Sequence, residues 1–272
     1  MCDILSRTRN PCTRSPQMAI LRFHSNPTLR SHRVKGRFVL TGSTCDIRVS
    51  SLRACPLKPR IFTSMRFIVT TRSKDTADEI RWIARDVPDL EVRLGSFESL
   101  TNFDCVATAG NSFGLMDAGM DLAVLKFFGL HIQERIQKRI IDDYCGEQQV
   151  GSAFLVETGR TDHPYVAHAP TMRVPMNISG TDHVYLATWA TLLAVRAHNR
   201  TGARKIETLV CPAFGAGTGG VSGIEVGFQM KIAWEHFKAP PKLINPSFAQ
   251  NRQERIYYGG KTGFEKPVNR LG

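Results

Sequence analysis

The sequence predicts an α/β protein, a three-layer α/β/α sandwich with helices covering both faces of a central sheet. Three observations carry this. From Met65 onward, short apolar runs of strand length alternate with longer segments of helical period. Two of those runs, ending at Ala109 and at Cys211, open into loops of small residues that lead into helices. Charge also divides the 272-residue chain: net +10 over residues 1–64, −2 over 65–238 and +4 over 239–272. The expected organisation is a basic disordered extension (1–64), one folded domain (65–238) and a weakly ordered tail (239–272).

Phe67-Ile68-Val69 is uniformly apolar and reads as a buried strand. Asp75 or Thr76 then caps a helix to about Asp86, with Ile80, Ile83, Ala84 and Val87 on one face. Leu90–Leu94 alternates as a strand, and Cys105–Ala109 is the next apolar run. Leu130–Tyr144 repeats Ile132, Ile136 and Ile140 every four residues and carries the i,i+4 pair Glu134–Lys138. Gly151–Glu157 and Tyr165–Ala169 read as two strands joined by a polar loop. Asp182–Asn199 is a helix apolar on all sides, which calls for cover by its neighbours. Ile206–Cys211 is the last strand, Ile224–Phe237 the last periodic helix, and Ala239-Pro240-Pro241 punctuates its end.

Composition excludes several classes. The overall charge of +12 belongs to the two ends, so a basic nucleic-acid footprint is not expected on the core. Seven cysteines, an odd number without a C-x-x-C pair, argue against a disulfide framework and for a reducing compartment. No apolar run reaches the roughly 20 residues of a membrane span. Residues 1–64 are rich in Arg, Ser, Thr and Pro, the texture of a disordered extension, of sequence ahead of a start at Met65, or of an organelle transit segment. The expected compartment is the cytoplasm or nucleus, or the mitochondrion if that stretch is a transit segment.

The stretch Cys105–Gly129 gathers the most chemistry. A strand runs into Gly110-Asn111-Ser112-Phe113-Gly114, continues through Asp117 and Ala118-Gly119-Met120-Asp121, and becomes helical. Such a junction aims backbone N–H groups and the positive end of a helix at one spot, which suits an anion. Pro212–Val221 repeats the arrangement after the last strand, with Gly215, Gly217, Thr218, Gly219 and Gly220 letting backbone approach a ligand closely. Two helix starts over one crevice would hold two anionic groups, that is, a pyrophosphate. Neither loop spells a dinucleotide fingerprint or a P-loop. His163 and His168 lack a third ligand near in sequence, so no metal is expected.

Asn111 with Ala118-Gly119-Met120-Asp121, the loop Ala169-Pro170-Thr171-Met172-Arg173-Val174-Pro175, and Ala213–Gly220 together resemble a macro domain over about Met65 to Phe237. The resemblance implies a mixed, six-stranded sheet between helices, with an ADP-ribose cleft over the strand ends. It also implies Asn111 on the distal ribose and Ser112 in the ligand loop. The backbone of Ala118, Gly119 and Met120, and that of Gly215 and Gly217 to Gly220, would hold the diphosphate. In hydrolytic members a carboxylate at the position of Asp121 acts on a water at the anomeric carbon, so Asp121 and Asn111 are the catalytic candidates. The implied partners are ADP-ribose or a related nucleotide and an ADP-ribosylated protein, with no cofactor. A non-catalytic ADP-ribose reader and an ADP-ribosyl hydrolase both fit. The chain departs from the pattern at Gly95-Ser96, where many macro domains carry Gly-Asp to read adenine, and at Gly219, where many place an aromatic residue.

One rival comes from the residues themselves. Gly110-Asn111-Ser112-Phe113-Gly114 matches G-x-S-x-G, the nucleophile elbow of serine hydrolases, with His163, His168, His183 and His198 downstream. The helix does not follow Ser112 at once, as an elbow requires.

Overall fold

Neighbouring residues of the buried strands go to different cores, and this layers the molecule. The computed structural model describes residues 65–259, so the expected extension 1–64 lies outside the described residues. In chain order the elements are β1 (Arg66–Thr71), α1 (Lys74–Ala84), β2 (Leu90–Leu94), β3 (Cys105–Thr108), α2 (Gly119–Phe128), α3 (His131–Tyr144), β4 (Phe154–Glu157), β5 (Tyr165–His168), α4 (His183–Thr201), β6 (Thr208–Pro212), α5 (Gly223–Lys238) and α6 (Pro246–Glu254). Phe67, Val69, Cys105, Ala107, Leu209 and Cys211 face a core shared with α1, α4 and α5. Ile68, Val106 and Val210, each between two of those, and Val166, between Tyr165 and Ala167 of the first core, face a second core with Val124 of α2 and Ile132, Ile136 and Ile140 of α3. Phe67 is fully buried and tilts against Trp234 at 5.2 Å between centroids. Truncating such a ring to alanine costs about 3–5 kcal/mol.

The sheet runs β2-β1-β6-β3-β5-β4. Its pairings are parallel except β4 against β5, so the six-stranded sheet is mixed as expected. β6 lies between β1 and β3, which brings the loops after β3 and after β6 side by side at the carboxyl ends of parallel strands. That placement makes the site.

Several boundaries differ from the sequence expectation. Ser73, rather than Asp75 or Thr76, caps α1 by accepting the Thr76 N–H at 3.2 Å, and Asp75 sits in the first turn, where its charge suits the helix dipole. β4 begins at Phe154, three residues after the expected Gly151. Within the stretch expected to be a weakly ordered tail, α6 forms from Pro246 to Glu254. It has no buried residue and therefore no apolar period to read. Its start was nevertheless written in the sequence: Asn245 accepts the Phe248 N–H at 2.8 Å and Pro246 occupies the first turn. Among the described residues no helix is long and apolar enough to cross a membrane.

Candidate functional site

A cleft of about 350 Å³ opens over the strand ends. Thr70, Thr71 and Pro212 form its floor, Gly95–Glu98 one wall, Gly119, Met120 and Ala123 a second, and Ala216 and Gly217 a third. The start of α2 is its most polar feature. Ala118, the N-cap, is extended and offers no capping side chain, and Gly119 takes φ +55°. The first helical bond of α2 is Leu122 N–H to the Ala118 carbonyl at 3.1 Å. The N–H groups of Gly119, Met120 and Asp121 thus reach no acceptor among the described residues. A Cβ at Gly119 would meet nothing within 4 Å, so the backbone there is bare to the cleft.

The second loop differs from the expectation of a second free helix start. Ser222 caps α5 by accepting the Glu225 N–H at 3.2 Å. The loop also spends donors on itself, with Gly220 N–H to the Gly217 carbonyl at 3.0 Å and Val221 N–H to the Gly215 carbonyl at 3.1 Å. A Cβ at Gly219 would come within 2.6 Å of the Gly215 carbonyl oxygen, so this glycine lets the loop fold on itself. Gly215 packs against Val221, Val184 and Ile178. Gly217 alone combines exposure, open space and a place in the cleft wall, while Thr218 is exposed outside that lining.

Asn111 braces its own loop. Its Oδ1 accepts the N–H groups of Phe113 and Leu115 at 3.0 and 3.2 Å, and its Nδ2 donates to the Leu115 carbonyl at 2.8 Å. One amide hydrogen is left over. The loop is also zipped to Ala169–Pro175. Asn111 bridges Met172, Thr171 donates to the Gly110 carbonyl at 3.0 Å, and Ser112 donates to the Arg173 carbonyl at 3.1 Å. The two motifs that read as separate loops are therefore one structure. Ser112 is buried, and α2 does not begin until Gly119, so G-x-S-x-G here is loop and not an elbow.

Asp121 lies on the buried face of α2. Its Oδ1 has no hydrogen-bond partner, and neither has the buried Thr108 hydroxyl at the end of β3. Burial pushes its carboxyl up to about 7; the nearby Thr108 hydroxyl opposes the rise and the Asp117 charge adds to it. Gly119, Met120 and Ala123 present the cleft face of this helix, while Asp121, Val124 and Phe128 are its buried face.

Of two further neighbours of the site, Glu98 was missed in the sequence and His168 was weighed there only as a metal ligand or triad histidine. Glu98 stands in the wall at Ser96, hydrogen-bonded by the Ser96 hydroxyl and 3.5 Å from the Arg72 guanidinium. A carboxylate is thus present at the wall where Ser96 replaces the usual acid. It sits two residues later, in a 3₁₀ turn that carries no apolar period to betray it. His168 is fully buried at the end of β5, its Nδ1 2.6 Å from the Gln148 Oε1 and its Nε2 unpartnered beside Gly110. Burial pulls it down to about 3, so it is neutral.

An α/β/α sandwich with an uncapped helix start above parallel strand ends defines a cleft protein whose most polar corner suits an anion. Residues 107–226 match the family model of the macro domain, the family that the motifs resemble. An uncharacterised protein of Aeropyrum pernix is 29% identical over 180 residues, covering 66% of this chain and 87% of that one. Among solved structures, the macrodomain of Mycobacterium tuberculosis DarG is 19% identical with a TM-score of 0.46, over 54% of this chain and 90% of that one. The Oceanobacillus iheyensis macrodomain with MES bound is 14% identical with a TM-score of 0.45, over 60% and 87%.

Proposed function

We propose that the cleft binds ADP-ribose or a related nucleotide diphosphate. The observation that carries this is the row of unpaired N–H groups at Gly119, Met120 and Asp121, facing a cleft whose other wall is the open backbone of Gly217. A diphosphate supplies the acceptors those donors lack and meets the positive end of α2, an interaction of up to about 2 kcal/mol when partly buried. The macro domain match supports ADP-ribose over other anions of this size. Titrating the full chain with ADP-ribose and with AMP tests it. Saturable heat with ADP-ribose and much weaker heat with AMP is expected; equal affinities would place the diphosphate elsewhere.

A second use, hydrolysis of an ADP-ribosyl linkage on a modified protein, is favoured by Asp121. A carboxyl held near 7 can take a proton from an attacking water at neutral pH. Its place on the buried face of α2 means that it must gain access to the cleft before it can act. The check is a de-ADP-ribosylation assay of the wild type beside Asp121→Ala: turnover lost in the variant supports catalysis by Asp121, equal turnover removes Asp121 from the chemistry, and no turnover in the wild type leaves a reader.

A further inference from the structure

The second loop is held in place from behind. Ile178 donates to the Gly219 carbonyl at 2.8 Å, and a Cβ at Gly220 would come within 2.5 Å of the Asn177 amide nitrogen. The segment Asn177–Thr181 is therefore the bed on which Gly219 and Gly220 lie. That bed is fixed by two buried polar side chains of α5. Glu225 accepts the Gly180 N–H at 2.9 Å. Gln229, fully buried, donates to the Thr181 carbonyl at 2.6 Å and accepts the Tyr185 N–H at 2.9 Å.

The second amide hydrogen of Gln229 goes to the far end of the chain, to the Tyr257 carbonyl at 2.7 Å. Gly259, at φ +64°, lies so close to the Glu225 carboxylate that a Cβ there would come within 2.5 Å of Oε2. Phe228 packs on Tyr257 at 5.0 Å between centroids, and Arg255 pairs with Glu235 at 2.5 Å. The strap Ile256–Gly259 thus closes over Gln229 and Glu225 and seals them from water. Sealed, their hydrogen bonds to the bed have no competing solvent. Unsealed, Gln229 would leave buried groups to find water.

We propose that Gln229 and Glu225 are positioning residues for the second loop, and that the C-terminal strap at Tyr257–Gly259 sets their grip and so tunes the cleft wall at Gly217, which the Gly220 N–H ties to this bed at 3.0 Å. The tuning of affinity rests on the ligand assignment made above; the mechanical coupling does not. The strap connects to the second loop through hydrogen bonds in one line: Tyr257 to Gln229, Gln229 to Thr181, Thr181 to Ile178 through its hydroxyl at 2.7 Å, and Ile178 to Gly219.

The test uses the full chain and two variants. Gly259→Val sets a side chain against the Glu225 carboxylate and so dislodges the strap from its seat, and Gln229→Leu cuts the line at its centre. Hydrogen exchange of the unliganded protein is read first. In both variants faster exchange is expected at residues 177–181 and at Gly219–Val221, with β1, β3 and β6 unchanged. Faster exchange in Gly259→Val confined to residues 256–259 would overturn the coupling, whatever the ligand proves to be, and if Gln229→Leu does not fold this variant alone decides. ADP-ribose titration is read second. If the wild type binds, affinity about three- to tenfold weaker is expected in Gly259→Val. Equal affinity with a loosened loop would remove the tuning and keep the positioning. A wild type that does not bind refutes the ligand and leaves the exchange result standing.

Discussion

Asn111 and Leu115 are tied by two opposed hydrogen bonds, Leu115 N–H to Asn111 Oδ1 at 3.2 Å and Asn111 Nδ2 to the Leu115 carbonyl at 2.8 Å. The same oxygen also holds the Phe113 N–H. The side chain replaces the secondary structure this loop lacks. Asn111→Ala is expected to leave partly buried backbone groups unsatisfied, at about 1–3 kcal/mol each before water compensates. Chemical denaturation should show the lowered midpoint. Asn111→Asp keeps the acceptor and loses the donor, and should fall between the two.

Gly119 is where the ligand claim is most exposed. Its φ of +55° is a region that side chains rarely adopt, but the space around it is open. Gly119→Ala is expected to cost about 1 kcal/mol of stability through backbone strain alone. Its melting temperature should drop by a few degrees while the fold persists.

Asp121 gives a pH dependence with a definite sign. Its folded carboxyl, near 7, lies above the ordinary aspartate value of 3.8, so the fold favours the protonated form. Its contribution is fully present below about pH 4 and is lost as pH rises through 7. Asp121→Asn removes the titration and offers an amide donor to the unpartnered Thr108 hydroxyl. Its stability relative to wild type should therefore rise between pH 5 and pH 8. Parallel denaturation curves across that window would contradict the burial of the carboxyl.

Glu98 is expected to act on the base. A carboxylate in that wall accepts from an exocyclic amine and repels a carbonyl in its place. Wild type should prefer ADP-ribose to its hypoxanthine counterpart, and Glu98→Gln should narrow the difference. Competition titrations with the two nucleotides measure it.

The layered fold was legible because Phe67-Ile68-Val69 and its companions are apolar without interruption, which is what strands buried on both faces require. The loop and helix start at Gly119 were legible from small residues between a strand and a helix. The division of labour in the second loop was not. Gly217 and Gly219 spell alike, but one faces the cleft and the other packs on the Gly215 carbonyl, a difference set by turn geometry. Asn111 could be named as important without its bonds to Leu115 being visible. The burial of Asp121 followed from the rotation of α2, since 119, 120 and 123 took the cleft and left 121 to the core. The link from Gln229 to Tyr257 joins positions too far apart in sequence for any local pattern to show.

The most direct test of the diphosphate site is a calorimetric titration of ADP-ribose into the wild type and into Gly119→Glu. The new carboxylate would project into open space at the start of α2, adding bulk and negative charge where the diphosphate is placed. Binding in the wild type and its loss in a variant that keeps its circular dichroism spectrum is the expected result. Unchanged affinity in Gly119→Glu would contradict the placement of the diphosphate on α2.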